Sequence, residues 1–357
     1  MDIYINGRFL TQPMTGVERY AYNICKAMAA LHETFTIVCP KTSIHHDYDV
    51  NGMNVVHYGI GNSHFWEQCV LPFFFVGKKD YLVLSFTGLG SILIPHKIMT
   101  IHDLAFLKNP AWYSRTYYWY YRFMTPLAVK ASWHILTVSE FSKSEILRFY
   151  PFLKGEKISV VYNAIDGQLF KPLNQEITNQ NSERFILCVS SIDPRKNFAR
   201  LTEACQLLTD AKLYIVGNYN RVFSQQMELD TTSDHINLLG RVSDEHLVRL
   251  YNQAACFVFP SVYEGFGLPP LEAMACGCPV LASDIPVHHE VCGDAARYFN
   301  PYDAKDIKRA ITQYLDESDV IKEKMRQRGY ANTKRFSWEK TALTLLQIIE
   351  KVKKKKI

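Results

Sequence analysis

Cys256-Phe257-Val258-Phe259-Pro260-Ser261-Val262-Tyr263-Glu264-Gly265-Phe266-Gly267-Leu268-Pro269-Pro270-Leu271-Glu272-Ala273 opens as an apolar run, passes through a glycine-rich turn and ends in a helical pattern. Residues 256–261 read as a buried parallel strand. Glu264 therefore falls in the loop beyond its carboxyl end, where open α/β sheets bind ligands. Pro269 and Pro270 suit the first turn of a helix, where a missing N–H is harmless, and Gly277 followed by Pro279 suits its end. A helix over residues 270–276 is predicted, with Glu272 inside it. N–H groups at its start, together with the backbone of Gly265 and Gly267, would point donors at a diphosphate. The two carboxylates can accept hydroxyl hydrogen bonds on either side, an arrangement suited to a nucleotide sugar.

Working outward, the amino half alternates predicted strands at residues 3–6, 35–39, 54–56, 81–85, 98–101 and 134–138 with helical patterns. This is a βαβ rhythm that implies a parallel sheet. Val17, Tyr20, Ala21, Ile24, Ala27, Met28 and Leu31 recur at helical spacing and give one apolar face. A second series runs through residues 185–189, 212–216, 236–239, 256–261 and 279–282. Between the two, Pro172 to Ser182 is polar, rich in Asn and Gln and without periodicity, which reads as a linker. A chain of 357 residues exceeds what one core usually supports. The expected organisation is α/β, with two Rossmann-like domains facing across a cleft: residues 1–170, residues 171–335, and a final helix with a basic tail over 336–357.

The composition is ordinary for a globular protein, with 48% hydrophobic and 21% charged residues, which excludes a disordered chain. Much of the formal charge of +5 sits in Lys351, Lys353, Lys354, Lys355 and Lys356. No recognition motif accompanies these lysines, so nucleic acid is not the expected partner. They could hold an anionic leaflet reversibly alongside a second signal, or form a frayed, solubilising end. The nine cysteines form no Cys-x-x-Cys pair and no secretory pattern precedes the first strand, so a cytoplasmic location is expected. No apolar run approaches the roughly 20 residues needed to cross a bilayer, which leaves only peripheral contact at the inner membrane face. Ser114 to Ala131 carries Tyr117, Tyr118, Trp119, Tyr120, Tyr121 and Phe123 among Arg115, Arg122 and Lys130. That run could contact acceptor or lipid headgroups, but packing in the core is the favoured reading. Asp47-Tyr48-Asp49 beside His45 and His46 reads as a surface loop, and no metal site is expected.

Residues 261–273 closely resemble the Glu-x7-Glu stretch of the retaining glycosyltransferases of family 4, which have the GT-B fold, and the resemblance extends nearly end to end. It implies that Glu264 contacts the donor sugar and Glu272 the ribose, with Gly265, Phe266, Gly267 and Leu268 lining the sugar and diphosphate. In Asp193-Pro194-Arg195-Lys196-Asn197, Lys196 matches the family lysine that neutralises the departing diphosphate, a charge that grows as the glycosidic bond breaks. Many relatives place an arginine where this chain has Ser190 and Ser191; either Arg195 substitutes or one donor is missing. Thr15-Gly16-Val17-Glu18-Arg19 matches the family's glycine-rich loop over the diphosphate, with Gly16 its only glycine; Arg19 is a ligand contact or an exposed cation. His102, with Asp103 after it, matches a family histidine near the donor sugar, able to accept or donate a hydrogen bond near neutral pH. Ser139 to Lys143 and Tyr162-Asn163-Ala164 match landmarks read as structural.

The resemblance thus implies a metal-independent, retaining hexosyltransferase without a cofactor. Its donor would be a nucleoside diphosphate sugar, a GDP-sugar such as GDP-mannose being favoured over a UDP-sugar. The acceptor would be a glycan or an undecaprenyl-linked saccharide in O-antigen or other lipopolysaccharide assembly. His102, Lys196 and Glu264 would carry catalysis. The last helix would cross back to the first domain, and base contacts would come from backbone around Gly240-Arg241-Val242. Two alternatives stay open: a GT-B sugar-nucleotide epimerase, and a non-catalytic sugar-nucleotide-binding assembly subunit.

Overall fold

The computed structural model describes residues 1–173, 184–206, 208, 211–218 and 235–356. The linker expected at 172–182 lies, beyond Leu173, outside these residues. The chain divides into two units, one built from residues 1–107, 119–164 and 338–357, the other from 108–118 and 165–337.

The first unit holds a seven-stranded sheet of β1 (Asp2–Asn6), β2 (Thr36–Cys39), β3 (Val55–His57), β4 (Tyr81–Ser85), β5 (Lys97–Ile101), β6 (His134–Thr137) and β7 (Ile158–Val160). All pairings are parallel and the order is β3-β2-β1-β4-β5-β6-β7. The strands β4, β5 and β6 are buried at every position, as a parallel sheet covered on both faces requires. The second unit repeats the plan with β8 (Phe185–Val189), β9 (Lys212–Val216), β10 (Ile236–Gly240), β11 (Cys256–Phe259), β12 (Val280–Ser283) and β13 (Ala296–Phe299). Its order is β10-β9-β8-β11-β12-β13, again parallel throughout. Strands β7 and β13 were not legible as strands. Both are sheet edges with largely half-buried residues, so neither needs the apolar run that marks an inner strand.

In each sheet the strand order reverses once, between β1 and β4 and between β8 and β11. The carboxyl ends of those pairs form the crevice in which doubly wound sheets bind ligands. In the first unit this crevice is tied by buried polar groups. Asn6 donates to Glu67 at 2.7 Å, Arg8 lies 3.6 Å from the same carboxylate, and the fully buried Lys97 donates to the Ser91 carbonyl. Burial pushes the Lys97 ammonium down to about 8.

Two helices depart from expectation only in part. In the Arg115–Ala131 helix the buried residues are Thr125, Ala128 and Val129, while Trp119, Phe123 and Leu127 are exposed. Tyr117, Tyr118, Tyr120 and Tyr121 are half-buried, with Tyr120 4.9 Å from the His64 ring and Tyr121 5.8 Å from Phe106, so the aromatic run packs on one side and leaves Trp119 and Phe123 outside. The last helix, Trp338–Lys356, stays helical to its lysines. It packs on the Gly16–Ala30 helix, with Trp338 6.1 Å from the Tyr20 ring, and its Thr341 hydroxyl donates to the Tyr162 carbonyl at 3.0 Å. No helix among the described residues is long and apolar enough to cross a membrane.

Candidate active site

Two chain segments leave the strand pair at the second unit's reversal point. After β8, Asp193 caps a short turn, Pro194–Lys196, with its side chain accepting from Arg195 N–H. Proline directly after an aspartate cap fixes the first residue of that turn. After β11, the chain runs through Pro260 and Ser261 to Glu264. The segments are laced together: Val262 N–H donates to the Arg195 carbonyl at 2.9 Å, and Asn197 donates to the carbonyls of Pro260 and Pro301 at 3.0 and 2.7 Å. Asn197 adopts φ 59°, a left-handed conformation that asparagine tolerates better than most residues.

This lacing brings Lys196 Nζ to 2.5 Å from Glu264 Oε1, and Arg195 Nη1 to 3.8 Å from Oε2. Lys196 is only 7% exposed and Glu264 6%. Burial by itself would raise the Glu264 carboxyl, but Lys196 and Arg195 outweigh it and hold the group at about 2. Glu264 is thus an acceptor-only carboxylate at neutral pH and not a general acid. Its ordinary value is 4.5, so its contribution to stability is complete above about pH 4.5 and is lost as the pH falls toward 2. Between about pH 5 and about pH 2.5, Glu264→Gln should lose unfolding free energy less steeply than the wild type. Parallel acid limbs in urea titrations would contradict the buried pair.

Glu272 lies in the helix Leu268–Ala275, half-buried, and accepts from the Tyr251 hydroxyl at 3.1 Å. That helix starts two residues before the expected position because Gly267, at φ 99°, serves as its cap and lets Leu268 take the first helical place. Pro269 and Pro270 then occupy the first turn, as expected. Gly265, Phe266 and Gly267 are buried, and Phe266 packs edge-on against Phe336 at 5.5 Å.

The first unit's candidates lie at its own strand ends. His102 Nε2 donates to the Phe86 carbonyl at 2.8 Å, which fixes the tautomer and leaves Nδ1 an acceptor. Burial lowers its pKa, so the ring is neutral near pH 7. Asp103 accepts from Ala105 N–H at 3.0 Å and so starts the Ala105–Lys108 helix. Gly16 is the exposed first residue of its helix, and a Cβ there would meet nothing within 4 Å. Thr15 bonds Glu18 across that helix start. The Asp47 carboxylate accepts from Met14 N–H at 2.8 Å, so the loop read as plain surface also holds the approach to Gly16. His45, His46 and Asp47 place one ligand atom each within 4.8 Å of one another.

Three second-unit residues carry weight that the sequence reading did not assign. Asp193 is fully buried, accepts from Ser191 at 2.9 Å and lies 3.4 Å from Arg195 Nε, so it aims the arginine. The Asp-Pro pair was its signal. Tyr251 reaches Glu272 from 21 residues away, a contact without local signature. His288, fully buried, donates from Nδ1 to the Ser283 carbonyl at 2.9 Å and lies 5.2 Å from the Phe259 ring. Phe259 in turn lies 5.4 Å from Lys196 Nζ, so His288 backs the ring beneath the lysine.

Residues 170–336 match the family described as Glycosyl transferases group 1, and residues 14–169 match Glycosyltransferase Family 4. The chain is 31% identical over 330 residues to the O-antigen chain mannosyltransferase RfbU of Salmonella typhimurium, covering 86% of this chain and 89% of that protein. It is 34% identical over 280 residues to O-antigen chain mannosyltransferase B of Escherichia coli, covering 73% and 72%. Among solved structures, sucrose-phosphate synthase from Thermosynechococcus elongatus superposes with a TM-score of 0.75 over 98% of both chains at 18% identity.

Proposed function

Because the chain belongs to glycosyltransferase family 4 and is a glycosyltransferase of the GT-B fold, we propose that it moves a mannosyl unit from GDP-mannose to a lipid-linked saccharide, with retention and without a metal. The acceptor proposed is an undecaprenyl-linked O-antigen intermediate met at the cytoplasmic face of the membrane. The donor sugar and pathway rest on the relatives' names.

One observation carries the chemistry: the buried Lys196–Glu264 pair at the sheet's reversal point, with Arg195 beside it. Lys196 is held where it can turn from Glu264 toward a diphosphate, and Arg195 adds a second cation. Together with the N–H groups at the start of the Leu268–Ala275 helix, they supply positive charge where it grows as the glycosidic bond breaks. This supports departure without a metal. Glu264, ionised, accepts from donor-sugar hydroxyls and is no proton source. Glu272, steadied by Tyr251, accepts from the ribose hydroxyls. No side chain in the cluster is placed as a nucleophile, in keeping with same-face attack in which the departing phosphate oxygen takes the acceptor proton. In the first unit, Nδ1 of His102 accepts a hydroxyl hydrogen bond.

The test is nucleoside diphosphate release from GDP-, UDP- and dTDP-sugars, with and without a lipid-linked acceptor. Acceptor-dependent release from GDP-mannose alone is expected; turnover of a UDP-sugar instead would overturn the donor assignment, and interconversion without acceptor would point to an epimerase. Glu272→Ala should raise the donor KM about 10- to 100-fold, the loss of one or two charge-assisted hydrogen bonds, with a smaller change in kcat. An unchanged KM would remove Glu272 from the ribose.

A further inference from the structure

We propose that the first unit docks on an anionic lipid surface through one patch, formed by residues 119–131 of the Arg115–Ala131 helix, the turn at Phe152–Lys154 and the end of the last helix. This rests on the membrane-face location proposed above and names the surface responsible. Trp119, Phe123 and Leu127 follow one another every four residues and so form a stripe along one helix face. They are 53%, 65% and 50% exposed, and Trp119 stacks on Phe123 with centroids 5.7 Å apart. The core side of the helix is already filled by Thr125, Ala128 and Val129. The stripe is therefore exposed apolar surface.

Lys130 lies on the same stripe, eleven residues after Trp119, which is close to three helical turns. Its ammonium sits 5.1 Å from the centroid of the Phe152 ring, itself half exposed. Lys130, Phe152 and Lys154 line one shallow groove with Glu156. Glu156 lies 4.0 Å from Lys355, which ties the end of the last helix to this groove. Lys351, Lys354 and Lys355 are all exposed, at the i, i+3 and i+4 spacing of a single helix face. The acids facing them are Glu156, engaged by Lys355, and Glu350, paired with Lys353 at 3.3 Å. Three distant stretches of sequence thus meet as one basic surface with an aromatic stripe.

Apolar and basic signals side by side fit a lipid interface carrying negative charge, where rings enter the headgroup layer and ammonium groups stay at its phosphates. Each lysine brought to such a surface multiplies affinity about fivefold. The experiment is sedimentation of the full chain with phosphatidylcholine vesicles and with vesicles containing phosphatidylglycerol. Salt-sensitive binding at least about tenfold stronger to the anionic vesicles is expected. Lys351→Glu/Lys354→Glu/Lys355→Glu should abolish it, and Trp119→Ser/Phe123→Ser should weaken it about tenfold, with far-UV circular dichroism unchanged in both. Equal binding to both vesicles, binding to neither, or binding untouched by either variant overturns the proposal. So does concentration-dependent self-association through the stripe in place of vesicle binding. Donor turnover with a soluble acceptor, read in parallel, separates this surface from the catalytic reading: vesicle binding without turnover would sink the latter alone.

Discussion

Glu264→Ala should lower sugar transfer by about 10²- to 10³-fold, the range seen when one preorganised transition-state contact is removed. The same change should destabilise the protein by about 3–5 kcal/mol, because Lys196 is left as a buried cation without the acid it is paired with. Donor turnover and urea unfolding read the two effects separately. The pairing makes a further demand: Lys196→Met combined with Glu264→Leu should be more stable than Glu264→Ala while remaining inactive, since removing both charges spares the desolvation of either. Full activity in Glu264→Ala would sink the assignment of the pair. Additive loss of stability in the double variant would show that the two side chains do not act on each other.

Gly217→Ala should be the most damaging single methyl in the second unit. Gly217 follows β9 directly at φ 152°, and a Cβ there would run into the backbone carbonyl of Ser190. Neither partner can yield: Ser190 N–H donates to the Val216 carbonyl at 3.0 Å, and Gly217 N–H to the Gly240 carbonyl at 2.9 Å. Relief requires parting β8 from β9 just before the turn that carries Arg195 and Lys196. A loss of at least about 4 kcal/mol is expected, or a chain that does not accumulate in folded form. Gly16→Ala is the control, because its new methyl meets open space and should change stability by less than about 0.5 kcal/mol. Comparable midpoints for the two variants in thermal unfolding would contradict this account.

Inner strands were readable because burial on both faces imposes a continuous apolar run, as at Tyr81–Ser85 and Cys256–Phe259. Edge strands such as Ala296–Phe299 escape that demand and escaped notice with it. The ion pair's members could be named one by one, since each sits just past a strand end, but not their contact, which spans 68 residues. Tyr251 and His288 lacked even that positional cue. The Arg115–Ala131 helix shows a different failure. Its periodicity was visible, yet period does not say which stripe faces inward, and the aromatics divide between half-buried tyrosines and the exposed Trp119 and Phe123. For the lysine end the sequence left leaflet contact and fraying both open; charge marks exposure, not fraying, and Val352 and Ile349 anchor the helix that carries it.

The first unit is assembled from residues 1–107 and 119–164 together with the helix Trp338–Lys356 that covers Gly16–Ala30, so the long 165–337 stretch of the second unit is translated before that helix. On the ribosome, the second unit has emerged in full while the first still lacks the helix that seals Tyr20 and its neighbours. The order of completion is therefore the reverse of the order of translation. A truncated chain that stops before residue 338 would keep every residue of the second unit and leave the first with an open apolar face, so it should bind chaperones that the chain carrying the helix does not.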